Sequence, residues 1–193
     1  MNIYIKLFYI SGFLLFVSNL TAQILITNRS FEGKPADATM PSGWFMASEG
    51  TTPDILPGYW GVYNEPLEGD TYIGLITRQD GSFESITQRM ENGLQKGTCY
   101  SLTFALSHSD NYAGYSAPLK IRIWIGDKKS DRQQKVFESA LIKGEEWRLQ
   151  KIDFTPTKNM EYIIIEAFNS RNAPVNGNIL IDALSNPNSC NRV

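Results

Sequence analysis

Hydrophobic and polar residues alternate in the stretch 97–107. Tyr100, Leu102, Phe104 and Leu106 are separated by small or polar side chains. This period of two is typical of a β-strand with one face in a core, whereas a helix would scatter the four groups around its surface. The stretch predicts a central strand against which the other strands of the chain bury their own apolar faces.

Similar short runs predict strands before and after this one. They lie at 23–27, 43–46, 71–76, 84–90, 119–125, 136–141, 147–154, 162–168 and 177–184. Gly74 interrupts one of them, which indicates a close approach by another backbone. No helix and no repeat is evident, so about ten short strands predict an all-β antiparallel sandwich.

The first 22 residues have the pattern of a secretory signal peptide. Lys6 is their only charge, the run 7–17 is apolar, and small or polar residues lead to Ala22. An uncleaved membrane anchor is the alternative, although the run is short for a span. We expect a signal peptide at 1–22, one domain at 23–185 and a tail at 186–193. This organisation predicts a secreted, periplasmic or outer-membrane-associated protein with no transmembrane span in its mature part.

Charge argues against two classes of partner. Without Lys6, 17 basic residues remain against 20 acidic ones, with no block of like charge. Nucleic acid and anionic membrane surfaces are therefore not expected as partners.

Two cysteines in an exported chain indicate one disulfide. Cys99 opens the central strand and Cys190 follows the last strand. Their sulfur atoms meet if these two strands are adjacent and antiparallel, and two unpaired thiols are the alternative.

Several segments together resemble a known family. They are Asn28–Glu32, Gly43–Trp44, Ile86–Gln88, Gly97–Phe104, Trp147 with Phe154, and Asn178–Asp182. They resemble the galactose-binding-type jelly roll of many bacterial carbohydrate-binding modules, in the style of secreted or outer-membrane proteins of Bacteroidetes-type bacteria. The resemblance implies a jelly-roll fold, a non-catalytic role and a glycan or polysaccharide partner.

The resemblance also implies a structural Ca²⁺ ion. Glu32 and Asp182 would be ligands, with a third carboxylate from Asp70 or Glu68, because Ca²⁺ prefers six to eight hard oxygen ligands. The alternative is that Glu32 and Asp182 only accept backbone hydrogen bonds or pair with cations.

Two surfaces are candidates for the glycan, since sugars bind to aromatic planes flanked by polar groups. The first comprises Trp124 and Arg122 on the outward face of strand 119–125, Glu166 on a neighbouring strand, and the loop residues Tyr112 and Tyr115. The second is the long irregular segment 48–68, with Tyr59, Trp60 and Tyr63. The alternatives are that segment 48–68 covers Trp124 in a second small core, or packs on itself.

Catalytic motifs are weak. There is one histidine, His108, and no nucleophile elbow of the G-x-S-x-G type. One histidine and two paired cysteines make a zinc site improbable. An envelope adhesion module that binds protein, and a glycoside hydrolase or polysaccharide lyase with two carboxylates, remain as alternatives.

Overall fold

The computed structural model describes residues 23–190, and all of its regular elements are β-strands. The predicted signal peptide at 1–22 lies outside this range. The strands are β1 (Phe45–Met46), β2 (Asp54–Leu56), β3 (Tyr72–Thr77), β4 (Ser85–Leu94), β5 (Tyr100–Ser107), β6 (Ala117–Pro118), β7 (Lys120–Gly126), β8 (Gln134–Glu138), β9 (Arg148–Phe154), β10 (Met160–Phe168), β11 (Gly177–Asp182) and β12 (Asn188–Ser189). Within residues 23–190, no helix has the length and apolar character needed to cross a membrane.

The strands form two sheets. One has five strands in the order β1-β4-β10-β7-β8, and the other has seven, with β12-β5-β11-β3-β2 as its path and β6 and β9 attached. Apart from the parallel pair β6 and β11, neighbouring strands are antiparallel. This architecture confirms the predicted antiparallel β-sandwich of jelly-roll type.

The main core lies between the sheets. Leu102, Phe104 and Leu106 of β5 are fully buried there, as the period of two predicts. Ile121, Ile123 and Ile125 of β7 meet them from the other sheet. Burying a side chain of this size contributes about 1.5–3 kcal/mol. Lys120, Arg122 and Trp124 consequently lie on the outward face of β7.

A second, smaller apolar cluster lies on the outer side of the seven-stranded sheet. Its buried members are Leu56, Val62, Tyr72, Ile76, Tyr112 and Leu180, and Tyr115 and Trp147 pack against it. This cluster exists because segment 48–68 returns over the sheet. The segment contains strand β2, which the sequence analysis did not predict.

The ends of the chain differ from the prediction. Residues 23–27 form no strand, and their β-type pairing is limited to an isolated bridge from Leu25 to Glu91. At the other end, β12 pairs with β5, so the sandwich continues past the predicted boundary at 185. The disulfide between Cys99 and Cys190 is confirmed, as is the antiparallel pairing of β5 with β11.

Candidate functional site

The first predicted surface is partly assembled on the five-stranded sheet. Glu166 of β10 lies directly opposite Arg122 of β7, and Ile164 lies opposite Trp124. Arg122 donates from Nε to Glu138 at 3.0 Å, and its Nη1 lies 3.9 Å from Glu166. The outward face therefore holds Arg122, Trp124 and Glu166 together, as the sequence analysis expected.

The loop between β7 and β8, residues 127–133, crosses toward this face. Its Arg132 donates from Nε to Glu166 at 2.7 Å and from Nη2 to the hydroxyls of Ser48 (2.8 Å) and Ser85 (2.9 Å). Glu166 is consequently only 5% exposed, and its charge has a direct counterion. We call residues 127–133 the Arg132 loop.

Trp124 is half-buried. Lys135 of the neighbouring strand lies 6.0 Å from its ring, and the Trp124 indole nitrogen is buried without a hydrogen-bond partner. Leu56 and Val62 of segment 48–68 belong to the small cluster on the other sheet, and Trp124 is not a member of that cluster. The Trp124 ring is therefore partly covered, and the Lys135 ammonium lies over it.

A hollow opens at the end of this face. Its volume is about 290 Å³, and we call it the arginine hollow. The side chains that define it are Arg78, Phe83, Arg122, Glu166, Phe168 and Arg171. The guanidinium of Arg122 lies 3.2 Å from the centre of the Phe168 ring, which is close stacking of a cation on an aromatic face. The hollow thus combines cationic donors with apolar ring surface.

Tyr112 and Tyr115 do not belong to this face. Tyr112 is 2% exposed and lies in the small cluster on the seven-stranded sheet, with Tyr115 packed against it. The prediction that Tyr112 forms a wall beside Trp124 is therefore wrong. The physical reason is that its ring can bury its apolar body against Leu56 and Gly74 while its hydroxyl finds a buried acceptor.

That acceptor is Asp54, the first residue of β2. One Asp54 oxygen accepts from the Tyr112 hydroxyl and the other from the amide of Ala38 at 2.7 Å. Burial raises the pKa of Asp54, although the hydrogen bond from Tyr112 opposes the shift. Burial and the nearby charge of Asp54 raise the pKa of Tyr112 well above its ordinary value.

Asp54 and Tyr112 line a cavity of about 200 Å³, which we call the acid pocket. Trp60, Tyr115 and Ile76 provide apolar walls, and Arg78 borders this pocket as well as the arginine hollow. Three lining residues have left-handed backbone: Ala38 (φ 45°), Trp60 (φ 57°) and Ala113 (φ 32°). Such conformations are costly for residues other than glycine and concentrate at functional sites.

The second predicted surface is exposed. Trp60 is 50% exposed and Tyr63 is 71% exposed. Tyr63 borders a hollow of about 420 Å³, the aromatic hollow, with Asn64, Asn111, Glu145 and Trp147. Two side-chain hydrogen bonds hold the backbone of this wall. The Tyr72 hydroxyl donates to the carbonyl of Asn64 (2.9 Å), and the Trp147 indole donates to the carbonyl of Glu65 (2.7 Å).

The predicted calcium ligands lie at a different place. Asp182 accepts from the amides of Leu67 (2.8 Å) and Glu68 (3.0 Å), and Glu32 accepts from the amide of Asp70 (3.1 Å). Burial raises the pKa of Asp182, and the charge of Glu32 adds to the shift, which indicates that the two carboxylates are neighbours.

The third carboxylate of that prediction does not converge on them. The exposed Asp70 contributes its backbone N–H, and the carboxylate of Glu68 pairs with Arg29 at 2.6 Å. Across residues 23–190, no three His, Cys, Asp or Glu side chains form a metal-binding cluster. His108 is buried beside Asn178, away from both cysteines, which are bridged.

Glu32 nevertheless retains a feature that fits a hard cation. Its Oε1 atom is buried without a hydrogen-bond partner, and a Cβ on Gly69 would lie 1.9 Å from that atom. Glycine at 69 therefore leaves room at an oxygen that lacks a partner. A buried carboxylate oxygen in this state is costly unless a cation or donor meets it, and a carboxylate oxygen is the kind of ligand that Ca²⁺ prefers.

Sequence reasoning did not identify Asp54 or the Arg132 loop. Asp54 begins a three-residue strand between Pro53 and Pro57, and its one signal was the pair Ile55–Leu56 after an acidic residue. Arg132 lies in a charged connection that resembles an ordinary solvated turn.

Solved structures show which proteins share this fold. The xylan-binding CBM22-1 domain of Paenibacillus barcinonensis Xyn10C is 14% identical with a TM-score of 0.56, over 86% of this chain and 94% of that one. The K1 cleaved adhesin domain of Lys-gingipain from Porphyromonas gingivalis W83 is 14% identical (TM-score 0.51), over 82% and 99%. An apo cyclase from Fischerella sp. is 14% identical (TM-score 0.51), over 84% and 94%. At this identity the likeness establishes the fold, and it confirms the resemblance to the carbohydrate-binding-module sandwich.

Comparison at the level of sequence identifies a family. No curated protein matches this chain. The profile of the HpiC1-like family, described as HpiC1 cyclase, matches residues 22–165. Since this match covers well over half of the 193 residues, the chain belongs to the HpiC1-like family.

Proposed function

We propose that this protein is an exported binding module that recognises carbohydrate at the aromatic hollow. One observation carries the proposal: Tyr63 is 71% exposed at the rim of a polar hollow, on a segment held by hydrogen bonds from the Tyr72 and Trp147 side chains. A large ring left in water on a rigid support is suited to stacking on the C–H face of a sugar.

The polar groups around Tyr63 suit sugar hydroxyls. Asn64 and Asn111 offer amide donors and acceptors, and Glu145 offers carboxylate acceptors. Trp147 also lines the hollow, and the exposed ring of Trp60 lies three residues before Tyr63 on the same segment, where it lines the acid pocket. The xylan-binding neighbour supports the proposal to the extent that this sandwich is a known support for glycan recognition.

Calcium would act as a structural ion in this proposal. Glu32 and Asp182 would hold it, and it would tie the segment around Gly69 to the end of β11. That segment leads directly into the wall of the aromatic hollow, so the ion would stiffen the binding surface.

The test is retardation in affinity gels cast with a panel of soluble polysaccharides, xylan included. We expect retardation by at least one of them, and its loss in Tyr63→Ala. The matched control is Phe45→Ala, which removes a ring that is 52% exposed on the other sheet. Retardation that Tyr63→Ala leaves unchanged, or none with any polysaccharide, would contradict the proposal.

The acid pocket supports a second candidate function, acid catalysis on a small unsaturated molecule. The description of the family is HpiC1 cyclase. Asp54 is a buried acid in a cavity that is lined by aromatic rings and by three residues with left-handed backbone. A carboxyl group whose pKa is raised by burial can donate a proton to a bound substrate, and the hydrogen bond from Tyr112 would hold the Asp54 side chain in place.

A proton-catalysed cyclisation yields an isomer of the substrate, so its product has unchanged mass. The protein is incubated with a library of unsaturated compounds, and new chromatographic peaks of unchanged mass are sought. We expect such a peak to vanish in Asp54→Asn and to persist in Tyr63→Ala. Activity that survives in Asp54→Asn would exclude Asp54 as the acid.

A further inference from the structure

We propose that the arginine hollow is a separate binding site for an acidic sugar, which takes the anionic group of the ligand on Arg171 and Arg122. This site shares no lining residue with the aromatic hollow, so the inference does not depend on glycan binding there.

The argument begins with unused hydrogen-bond donors. Arg171 is exposed, makes no ion pair among residues 23–190, and its side chain donates no hydrogen bond in that range. Arg122 is held at Nε by Glu138. Its terminal nitrogens donate no hydrogen bond among residues 23–190, and Nη1 lies 3.9 Å from Glu166. Two guanidinium groups thus face one hollow with donors to spare.

Glu166, which lines the hollow, and the carboxylates that pair with its lining arginines, Glu84 and Glu138, already have counterions. Arg78 is held by Glu84 at 2.7 Å, Arg132 holds Glu166 at 2.7 Å, and Glu138 is surrounded by Lys120, Arg122 and Lys135. These cations lower the pKa of Glu138 to about 2, led by the hydrogen bond from Lys135. Arg171 therefore has no carboxylate of its own within the described chain, and the hollow favours an anion.

The rest of the lining favours a ring-shaped ligand. Phe83 is 37% exposed, and the Phe168 ring already has the Arg122 guanidinium 3.2 Å from its centre. A volume of about 290 Å³ is at the lower end for ligand pockets, which suits one sugar ring or a chain end. Arginine forks bind carboxylate and sulfate oxygens in pairs, so the ring should carry such a group.

The experiment measures binding of galacturonate, its methyl ester, galactose and galactose 6-sulfate by isothermal titration calorimetry on the whole chain. We expect galacturonate, galactose 6-sulfate or both to bind, and galactose and the methyl ester to bind at least about tenfold more weakly, because a charged hydrogen bond is lost. Stronger binding of galacturonate would identify the source as a uronate, and stronger binding of galactose 6-sulfate would identify it as a sulfated sugar.

Variants distinguish this site from general attraction to positive charge. Arg171→Glu should abolish binding, and Arg171→Lys should retain part of it. Arg148→Glu is the matched control, because Arg148 is exposed on β9 and lines neither of the two hollows nor the acid pocket. Equal weakening by Arg148→Glu, or equal binding of galactose and galacturonate, would overturn the proposal.

The variant that disables the aromatic hollow separates the two glycan proposals. Tyr63→Ala should leave galacturonate binding unchanged, since Tyr63 does not border the arginine hollow. Loss of galacturonate binding in Tyr63→Ala would refute a separate site, whatever the outcome of the polysaccharide gels.

Discussion

The hydroxyl of Tyr112 donates a buried hydrogen bond to Asp54, which lies 58 residues earlier in the chain. This bond joins the loop after β5 to strand β2 and closes the small cluster on the seven-stranded sheet. It explains how two polar side chains are tolerated at 2% and 7% exposure, since each satisfies the other.

The raised pKa of Asp54 predicts a pH dependence of stability. The folded state holds this proton more tightly than the unfolded state, whose value is near 3.8. The contribution of Asp54 is therefore present at pH below 3.8 and is lost as pH rises through the folded-state pKa. We expect Asp54→Asn to flatten this fall in the free energy of unfolding, measured by urea denaturation at several pH values.

Glu138 should behave in the opposite way and serves as the control. Its pKa is lowered to about 2 from 4.5, so its contribution is present above pH 4.5 and is lost as pH falls toward 2. Glu138→Gln should change only that acidic limb. A stability curve for Asp54→Asn that parallels the wild type above pH 4 would contradict the assignment.

Gly74 should be intolerant of alanine. A Cβ at this position would lie 2.6 Å from the Tyr112 hydroxyl and 2.8 Å from a methyl of Leu56. We expect Gly74→Ala to lower the free energy of unfolding by about 1–3 kcal/mol, as overpacking does. Tyr112→Phe removes the atom nearest to the added Cβ. Gly74→Ala should therefore lower the free energy of unfolding less in a Tyr112→Phe background than in the wild type.

Calcium should stabilise the protein through Glu32. At a hundredfold excess over its Kd, a ligand of the folded state adds about 2.7 kcal/mol to the free energy of unfolding. We expect Ca²⁺ to raise Tm, EDTA to reverse this, and Glu32→Gln to abolish it. Asp70→Asn should leave the response intact, because Asp70 contributes its backbone amide to Glu32. A response lost equally in both variants would contradict this site.

The disulfide should be a major contributor to stability. It links residues 91 apart, and loop-entropy arguments give about 4–5 kcal/mol for such a loop, with measured values often lower. Paired Cys99→Ser and Cys190→Ser substitutions should lower Tm and release β12 from β5. Unchanged Tm, together with unchanged hydrogen exchange at Ser101 and Ser189, would contradict this expectation.

Arg132 should stabilise the Arg132 loop. Its removal leaves Glu166, whose side chain is 6% exposed, without its closest counterion. We expect Arg132→Leu to cost about 2–3 kcal/mol, below the 3–5 kcal/mol of a fully buried pair, because the Arg132 side chain is 25% exposed. The double variant with Glu166→Leu should recover most of the loss, and an equal or larger loss would refute the assignment.

Most strands could be predicted from the sequence because apolar and polar residues alternate along each of them. Arg122 and Glu166 could be placed on one face from alternation alone, and the pairing of β7 with β10 puts them opposite each other. Cys99 and Cys190 could be matched because β5 and β11 are neighbours.

Alternation does not reveal what covers an outward face, and this is where prediction failed. Tyr112 lies in a loop with no period, and its burial depends on the distant acceptor Asp54. Arg132 contacts Ser48, Ser85 and Glu166 across separations of 34 to 84 residues, which local pattern cannot specify.

Arg78 borders both the acid pocket and the arginine hollow, while its guanidinium is committed to the buried Glu84. One cation is therefore shared between two compartments. Replacing Arg78, or the Glu84 that holds it, would therefore alter the lining of both cavities at once.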